Sequence, residues 1–433
     1  MNSAGGAMRR AVIPFAILAS VVACAGRSGV ADPIARWSLE LPSPRLAGDT
    51  GIVDTIATGV LHRFFLVRQG PWAVHVLDID RNACWSAVAV KGARGAVGRT
   101  TTSALTASVA RPDTEVAGGV NADFFLFSPP GVPTGAHVSD SAVVTGPGLR
   151  PVFAIDPQGQ PWIGVLAVSG AAVTSSDSFP VTSWNRLAPA GLAWMDARYG
   201  SHVDTASGSV RVVMAAHTGP VQTIDTGAAA TPIPSSGGVL VLGPRAPAAV
   251  RERFLEAVGA PARFDVTVEL RPLHPREAVG GFPVLVRDSV EVPGLDSAGA
   301  PTFAPVRHPR TIVGVGSRGR RLLLITIDGR QPGYSAGTTN RESARVALEL
   351  GATEAINLDG GGSTAMVVAR RRADSTSYEV VNRPSDPQGE RAVGNALVIA
   401  RLEARGSRLE AREKLPACTR EVSTLTPSHG HGS

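Results

Sequence analysis

From Leu166 to about Arg271 apolar and polar residues alternate between frequent turn signals, as in Val210 to Ala215 and Gly238 to Leu242. That period-two pattern predicts strands, with one helix among them, roughly Pro247 to Val258. Two further stretches read as hairpins. Arg150-Pro151-Val152-Phe153-Ala154-Ile155 leads to a turn at Gly159, and Arg310-Thr311-Ile312-Val313-Gly314-Val315 to a turn at Gly319, with the same arginine-to-glycine spacing and another apolar run after each. A short helix is expected from about Thr102 to Ala110. A stronger one opens on a capping box, Thr339 with Glu342, runs through Val346, Leu348 and Leu350, and stops at Gly351.

These pieces form a faint duplication. Val120-Asn121-Ala122-Asp123 follows the first helix and Ile356-Asn357-Leu358-Asp359 the second, so each half places an Asn-x-Asp at the end of a strand. Strands and helices are interspersed without a regular βαβ repeat. The expected fold class is therefore α+β: mixed β-sheets with packed helices, an internal pseudo-duplication and a single large catalytic domain.

The ends read differently. Arg9 and Arg10 precede an apolar stretch from Ala11 to Ala23, the anatomy of an export signal and too short to span a bilayer. Val21-Val22-Ala23-Cys24 resembles a bacterial lipobox, which would make Cys24 a lipidated first residue and attach the protein to a membrane. Ordinary cleavage nearby is the alternative. The expected organisation is a signal peptide over 1–23, a Pro- and Gly-containing spacer over 24–59, the folded domain over 60–402 and a flexible tail over 403–433. Localisation would be exported, periplasmic or extracellular. After export Cys84 and Cys418 are left, and an oxidising compartment would let them pair or leave two thiols.

The formal charge of +6 comes from arginines throughout except for Lys91 and Lys414. They are scattered, the longest run being Arg370-Arg371-Arg372, and no aromatic-interleaved motif accompanies them, so nucleic acid is not the expected partner.

The richest chemical signal is Asn357-Leu358-Asp359-Gly360-Gly361-Gly362-Ser363-Thr364, where an apolar strand runs into three glycines and two hydroxyls. Consecutive amides in such a turn can cradle an anion, and Asn357 and Asp359 share one face of an extended strand. A tight turn between strands is the plain alternative. The P-loop lysine is missing, as is the nucleophile elbow of serine hydrolases. A second signal, Asp328-Gly329-Arg330-Gln331-Pro332-Gly333-Tyr334-Ser335, puts a carboxylate and a guanidinium at the end of the apolar run Leu322 to Ile327. Arginine offers a planar fork for phosphate, and Arg310, Arg383 and Arg391 are further candidate clamps. No histidine–cysteine cluster suggests zinc, and no metal or other cofactor is expected.

Taken together the motifs resemble the phosphodiester glycosidase family, from about residue 60 to residue 400. Gly119-Val120-Asn121-Ala122-Asp123-Phe124-Phe125, Pro133-Thr134-Gly135, Val279 to Val286, Pro309-Arg310-Thr311, the Asp328 and Asn357 runs, Asn382-Arg383-Pro384-Ser385-Asp386 and Arg391 to Leu397 carry the likeness. The family commonly has Asn-Gly-Gly-Phe-Phe where this chain has Asn121-Ala122-Asp123-Phe124-Phe125. The resemblance implies an exported hydrolase of sugar 1-phosphodiesters, N-acetylglucosamine-like, acting in cell-envelope or exopolysaccharide chemistry. Its leaving group, a phosphomonoester, departs without a strong acid, so the site must neutralise phosphate charge. The expected carboxylates are Asp359, then Asp328 and Asp123. Substrate and phosphate would be held by Asn121, Arg310, Arg330, Ser335, Asn357, Gly360, Gly361, Gly362, Ser363, Thr364 and Arg383. The rival readings are a non-catalytic envelope protein that binds phosphorylated glycans and a two-metal phosphodiesterase, which the scarcity of ligand histidines disfavours.

Overall fold

Long apolar strands that are buried on both faces set the architecture. The computed structural model describes residues 53–402, apart from 68–70, 93–94, 149, 205–206, 228–229, 260–261 and 300–304. An eight-stranded antiparallel sheet runs in the order Val53–Ala57, Val60–Val67, Trp72–Asp80, Arg321–Ile327, Arg310–Gly316, Glu354–Asn357, Val284–Arg287 and Val290–Glu291. Its central strand reads Arg-Leu-Leu-Leu-Ile-Thr-Ile and is buried after its first residue, which explains an apolar run in place of alternation. A five-stranded sheet follows the order Ser375–Val380, Met366–Arg372, Thr114–Asn121, Asn395–Leu402 and Ser86–Lys91. The two sheets share one core, in which Leu77, Leu324 and Ile356 of the first meet Val120, Met366 and Leu397 of the second.

A third sheet, with the order Pro161–Val165, Pro151–Ile155, Glu277–Gly280, His137–Ser139 and Ala142–Thr145, adds Phe153, Ile155 and Val279 to the same core. Between its strands Pro161–Val165 and Glu277–Gly280 the chain departs to build a closed seven-stranded barrel and then returns. The barrel's first and last strands, Ala167–Val173 and Arg263–Arg271, pair from Ala167↔Arg271 onward, so departure and return lie side by side. Its interior is filled by side chains: Phe254 is fully buried and meets Phe179 edge-on at 5.2 Å.

Three α-helices are present among the described residues: α1, Thr102–Val109; α2, Ala248–Ala257; and α3, Asn340–Glu349. All fall where the sequence pattern puts them. Thr101 caps α1, and Thr339 and Glu342 form the reciprocal capping box of α3, whose exit is Gly351 at φ 87°. Both expected hairpins form, with Gly159 and Gly319 at positive φ.

The expected helix-packed α+β class is nevertheless overturned: strands take 49% of the described residues and helices 12%, in sheets and a barrel. Local helix signals were strong where they occurred, but each marks a short helix of eight to ten residues set against strands. Leu105 and Val109 of α1 pack on Val116 and Val398, whereas the core itself lies between strands. The domain body also begins earlier than Val60, since Val53–Ala57 pairs in the main sheet. The leader, the lipobox at Cys24, the tail from 403 and Cys418, the expected partner of Cys84, lie outside the described residues.

Candidate active site

The two Asn-x-Asp segments meet. The strand Thr114–Asn121 ends in one sheet and Glu354–Asn357 in the other, and their continuations are laced together by main-chain and side-chain bonds. Asp359 N donates to Ala122 O at 2.8 Å, and Asn121 Nδ2 donates to Asp359 O at 2.7 Å. Asn121 Oδ1 accepts in turn from Thr311 Oγ1 at 2.7 Å and Ala365 N at 3.1 Å. Asn121 is thus fully buried and its amide is engaged with protein, so it acts as a brace between the halves. Asn395 completes the frame, with Oδ1 accepting from Asp123 N at 2.8 Å.

This frame brings Asp359 close enough for its charge to bear on the ionisation of Asp123. Asp123 is buried; Gly135 N donates to its Oδ2 at 2.6 Å, and a Cβ on Gly280 would lie 2.5 Å from that oxygen. Only glycine fits at position 280 beside this carboxyl. Burial pushes Asp123 up to about 7, and the Asp359 charge adds to the rise, against the Gly135 amide, Arg150 and Arg186. Asp359 keeps a partial opening to solvent. Burial of the carboxyl still raises it to about 6, opposed by the Ser363 hydroxyl, Arg391, the Gly360 amide and Arg150. Near neutral pH the more buried carboxyl holds its proton longer than the more open one.

Cations surround the pair. The would-be Cβ of Gly361, at φ 62°, meets the Arg330 guanidinium at 3.1 Å, and that of Gly362 meets Arg391 Nη2 at 2.3 Å. The glycine run therefore lets two arginines approach the backbone beside Asp359. Arg330 itself adopts φ 59°, unusual for a branched-free side chain on an L-residue, and its Nη2 lies 3.1 Å from His308 Nδ1. Arg391 is gripped on two edges by Asp386, at 2.7 and 3.0 Å. Arg186, reaching over from the barrel, donates to the carbonyls of Gly146 and Gly135. Arg310 is buried and donates to Thr338 O and Val306 O; burial beside Arg330 lowers it to about 10.

Asp328 sits in a separate nest. Its carboxylate accepts from Asn382 Nδ2 at 2.8 Å, Arg383 N at 2.9 Å and Tyr334 Oη at 3.2 Å, and its main-chain oxygen accepts from Ser335 Oγ at 2.5 Å. Asn382 Nδ2 also reaches Thr364 O at 3.2 Å, which connects this nest to the end of the glycine run. Burial raises Asp328 to about 6 against those three donors. Behind it His75 Nε2 lies 3.9 Å away, stacked on His62; burial holds the two imidazoles down to about 3 and about 4, so both are neutral. Arg383 is exposed, with its guanidinium over the Tyr334 ring at 5.4 Å.

Of the other expected site residues, Asn357 is buried and donates to Phe282 O and Leu358 O, each at 2.8 Å; Ser363 and Thr364 are buried in the glycine turn. Arg186 carries no signal in the sequence, and Arg150 stands there only at the start of a hairpin. Nor does Glu277, a buried carboxyl that joins Ala89 N and Asp140 N, stand out there. An isolated arginine in a turn or a glutamate inside a strand gives no local signal; both are recognisable only once the sheets are assembled.

Residues 211–400 match the sequence model of the phosphodiester glycosidase family. This stretch is a phosphodiester glycosidase domain. It contains Asp328, Asp359 and the glycine run, but it starts inside the barrel and leaves out Asp123. Strand Thr114–Asn121 nonetheless pairs with Met366–Arg372 and Asn395–Leu402, so the earlier half completes a sheet of the phosphodiester glycosidase domain.

Among solved structures, a hypothetical protein from Synechocystis superposes with a TM-score of 0.64 at 22% identity, covering 79% of this chain and 61% of that one. A candidate exported protein from Burkholderia pseudomallei gives 0.59 at 28% identity, over 76% and 74% of the two chains. The zebrafish N-acetylglucosamine-1-phosphodiester alpha-N-acetylglucosaminidase catalytic domain gives 0.40 at 14% identity, over 80% and 82%, too loose a superposition to argue from. No curated protein matches the chain. This chain thus spans less than two thirds of the Synechocystis protein, and the likeness there is one of fold.

Proposed function

We propose that the protein hydrolyses the C1–O bond of a sugar 1-phosphodiester, releasing free sugar and a phosphomonoester. The observation that carries this reading is the pair Asp123 and Asp359, contributed by the two halves of the chain, held by shared hydrogen bonds and ringed by arginines inside a fold whose second half matches phosphodiester glycosidases. Glycoside hydrolysis calls for two carboxyl groups in different protonation states. Asp359, the more open, is suited to act at the anomeric carbon as nucleophile or as base toward water. Asp123, with the higher pKa, is suited to hold the proton and assist.

The arginines fit the other half of the bond. A phosphodiester carries one negative charge, and breaking C1–O delivers the bond's electron pair to a phosphate oxygen, so charge grows on the phosphate as the sugar departs. Fixed cations in a partly dehydrated site favour that change. Asp328 supports the reading as a positioning group, through its bonds to Asn382, Arg383 N and Tyr334. The sugar we infer is N-acetylglucosamine-like, and the setting is the cell envelope or exopolysaccharide, reached through the leader that ends at Cys24, with Cys24 as a lipid anchor.

The test is to incubate the purified protein and its Asp359→Asn variant with UDP-N-acetylglucosamine and measure free sugar and UDP. Release by the parent and not by the variant supports the reading. Appearance of N-acetylglucosamine 1-phosphate would mean cleavage at phosphorus, and binding without any product would favour a glycan-binding protein.

A further inference from the structure

We propose that Arg150 is the phosphate receptor of the site: its guanidinium, shelved between Phe124 and Phe282, takes the phosphate oxygens of the substrate while the sugar's C1 lies at Asp359. The inference rests on the phosphodiester glycosidase reading and adds to it the residue that distinguishes a phosphodiester from an ordinary glycoside.

The geometry begins with the two rings. Arg150 Cζ lies 4.9 Å from the Phe124 ring centroid and 5.9 Å from that of Phe282. Phe124 directly follows Asp123. Phe282 is tied to the other carboxylate's strand, because Phe282 N donates to Asn357 O at 2.7 Å and Asn357 Nδ2 donates to Phe282 O at 2.8 Å, two residues before Asp359. Register supplies a third anchor: Gly281 N donates to Pro151 O at 3.0 Å, and Val152 pairs with Gly280, the glycine that abuts the Asp123 carboxyl. Arg150 is therefore fixed from both sides of the carboxylate pair, and both carboxylates respond to its charge.

Despite that proximity it forms no ion pair with Asp123 or Asp359, and among the described residues its guanidinium has these two rings as its contacts and no hydrogen bond. Four other arginines here differ: Arg186 serves the Gly135 and Gly146 carbonyls, Arg391 is held by Asp386, Arg310 serves Thr338 and Val306, and Arg330 lies against His308, while Arg383 also lies over a ring, that of Tyr334, but beside Asp328. An arginine beside two carboxyl groups would ordinarily close on one of them. Stacking on aromatic faces holds the cation through its plane and leaves the N–H edge for a ligand. That edge is a two-pronged donor matched to phosphate oxygens.

The chemistry is balanced without any further reactant than water. A bond forms at C1 as C1–O breaks and the pair goes to the bridging oxygen, releasing the phosphomonoester; where Asp359 forms that bond, water then hydrolyses the glycosyl ester to free sugar, and where water forms it, Asp359 takes water's proton. Arg150 meets a phosphate whose negative charge increases during that step, so its effect falls mainly on kcat.

The experiment compares the parent with Arg150→Met and Arg150→Lys on UDP-N-acetylglucosamine and on neutral 4-nitrophenyl N-acetylglucosaminide, with UDP binding followed by calorimetry. Arg150→Met should lower kcat/KM on the phosphodiester about 100-fold, with most of the loss in kcat. It should also weaken UDP binding at least about tenfold, lower the ratio of phosphodiester to aryl glycoside turnover, and recover part of each on Arg150→Lys. An equal loss on both substrates, with unchanged UDP binding, would overturn the proposal in favour of a packing role. Unchanged kinetics would overturn it outright. If the parent releases no sugar, the glycosidase reading fails separately, and UDP binding decides alone: loss in Arg150→Met upholds the phosphate receptor, and no loss refutes it.

Discussion

Asn121 Nδ2 donates to the main-chain oxygen of Asp359 at 2.7 Å, across the junction between two sheets. One side chain thereby fixes the backbone of the candidate nucleophile to the strand that ends in the second carboxylate. Because its Oδ1 also accepts from Thr311 Oγ1 and Ala365 N, every polar atom of the amide is tied to a different part of the site.

Removing that brace leaves three buried partners without a bond, at about 1–3 kcal/mol for each group that water cannot reach. Asn121→Ala should lose about 2–4 kcal/mol of stability in urea unfolding, and its kcat should fall with it. An unchanged unfolding midpoint would show that the brace does not hold the junction.

The carboxylates should separate by role. Asp359→Asn is expected to reduce kcat by a factor of about 1,000 or more, and Asp123→Asn by about 100, the lower end of acid–base contributions. Steady-state sugar release measures both. Greater damage from Asp123→Asn than from Asp359→Asn would reverse the assignment.

The pH profile follows from the same pair. Asp359 works ionised and its carboxyl is raised to about 6, so activity should climb as pH rises through that value. Asp123 assists with its proton and is raised to about 7, so activity should decline above that value. The expected kcat/KM profile is a narrow bell between those limbs, and Asp123→Asn should flatten the alkaline one. A parent profile level from pH 5 to 9 would remove both carboxyls from the mechanism.

Glu277 gives a prediction about folding alone. Burial raises its carboxyl to about 8, from an unfolded value near 4.5, against the Ala89 and Asp140 amides. A raised carboxyl stabilises the fold fully below the unfolded value, and that contribution is lost as pH rises toward the folded one, by at most about 1.4 kcal/mol per pH unit. Glu277→Gln should therefore be less stable than the parent at pH 5, having lost an acceptor, and should lie closer to it at pH 8. Thermal unfolding across that range reads the difference; a constant gap would refute the titration.

Much of the local structure was legible because it rests on short-range chemistry. Thr339 and Glu342 cap α3 whatever packs on it, and Gly159 and Gly319 turn hairpins through their own backbone freedom. The recurrence of Asn-x-Asp was visible for the same reason, as two strand ends with similar polar residues. Fold class was misread because a helix with a clear cap is easier to recognise than the strands around it. The meeting of Asp123 with Arg150, Arg186 and Gly280 depends on which sheet edges come together, and no spacing along the chain encodes that. Asp328 looked like a companion of Asp359 because both end apolar strands, yet its carboxylate is enclosed by Asn382, Arg383 N and Tyr334.

The pairing of Ala167 with Arg271 brings the two ends of the barrel segment to one point of the host, as the stem of a hairpin does. A continuous stretch of the gene thus encodes a self-closed body that could be replaced by a short turn without rethreading any host strand. Arg186 prevents the exchange from being neutral, since it extends from that body to Gly135, whose amide holds Asp123. Exchanging the barrel would leave the host carboxyl with one cation fewer, so the segment is modular in its connectivity and dependent in its electrostatics.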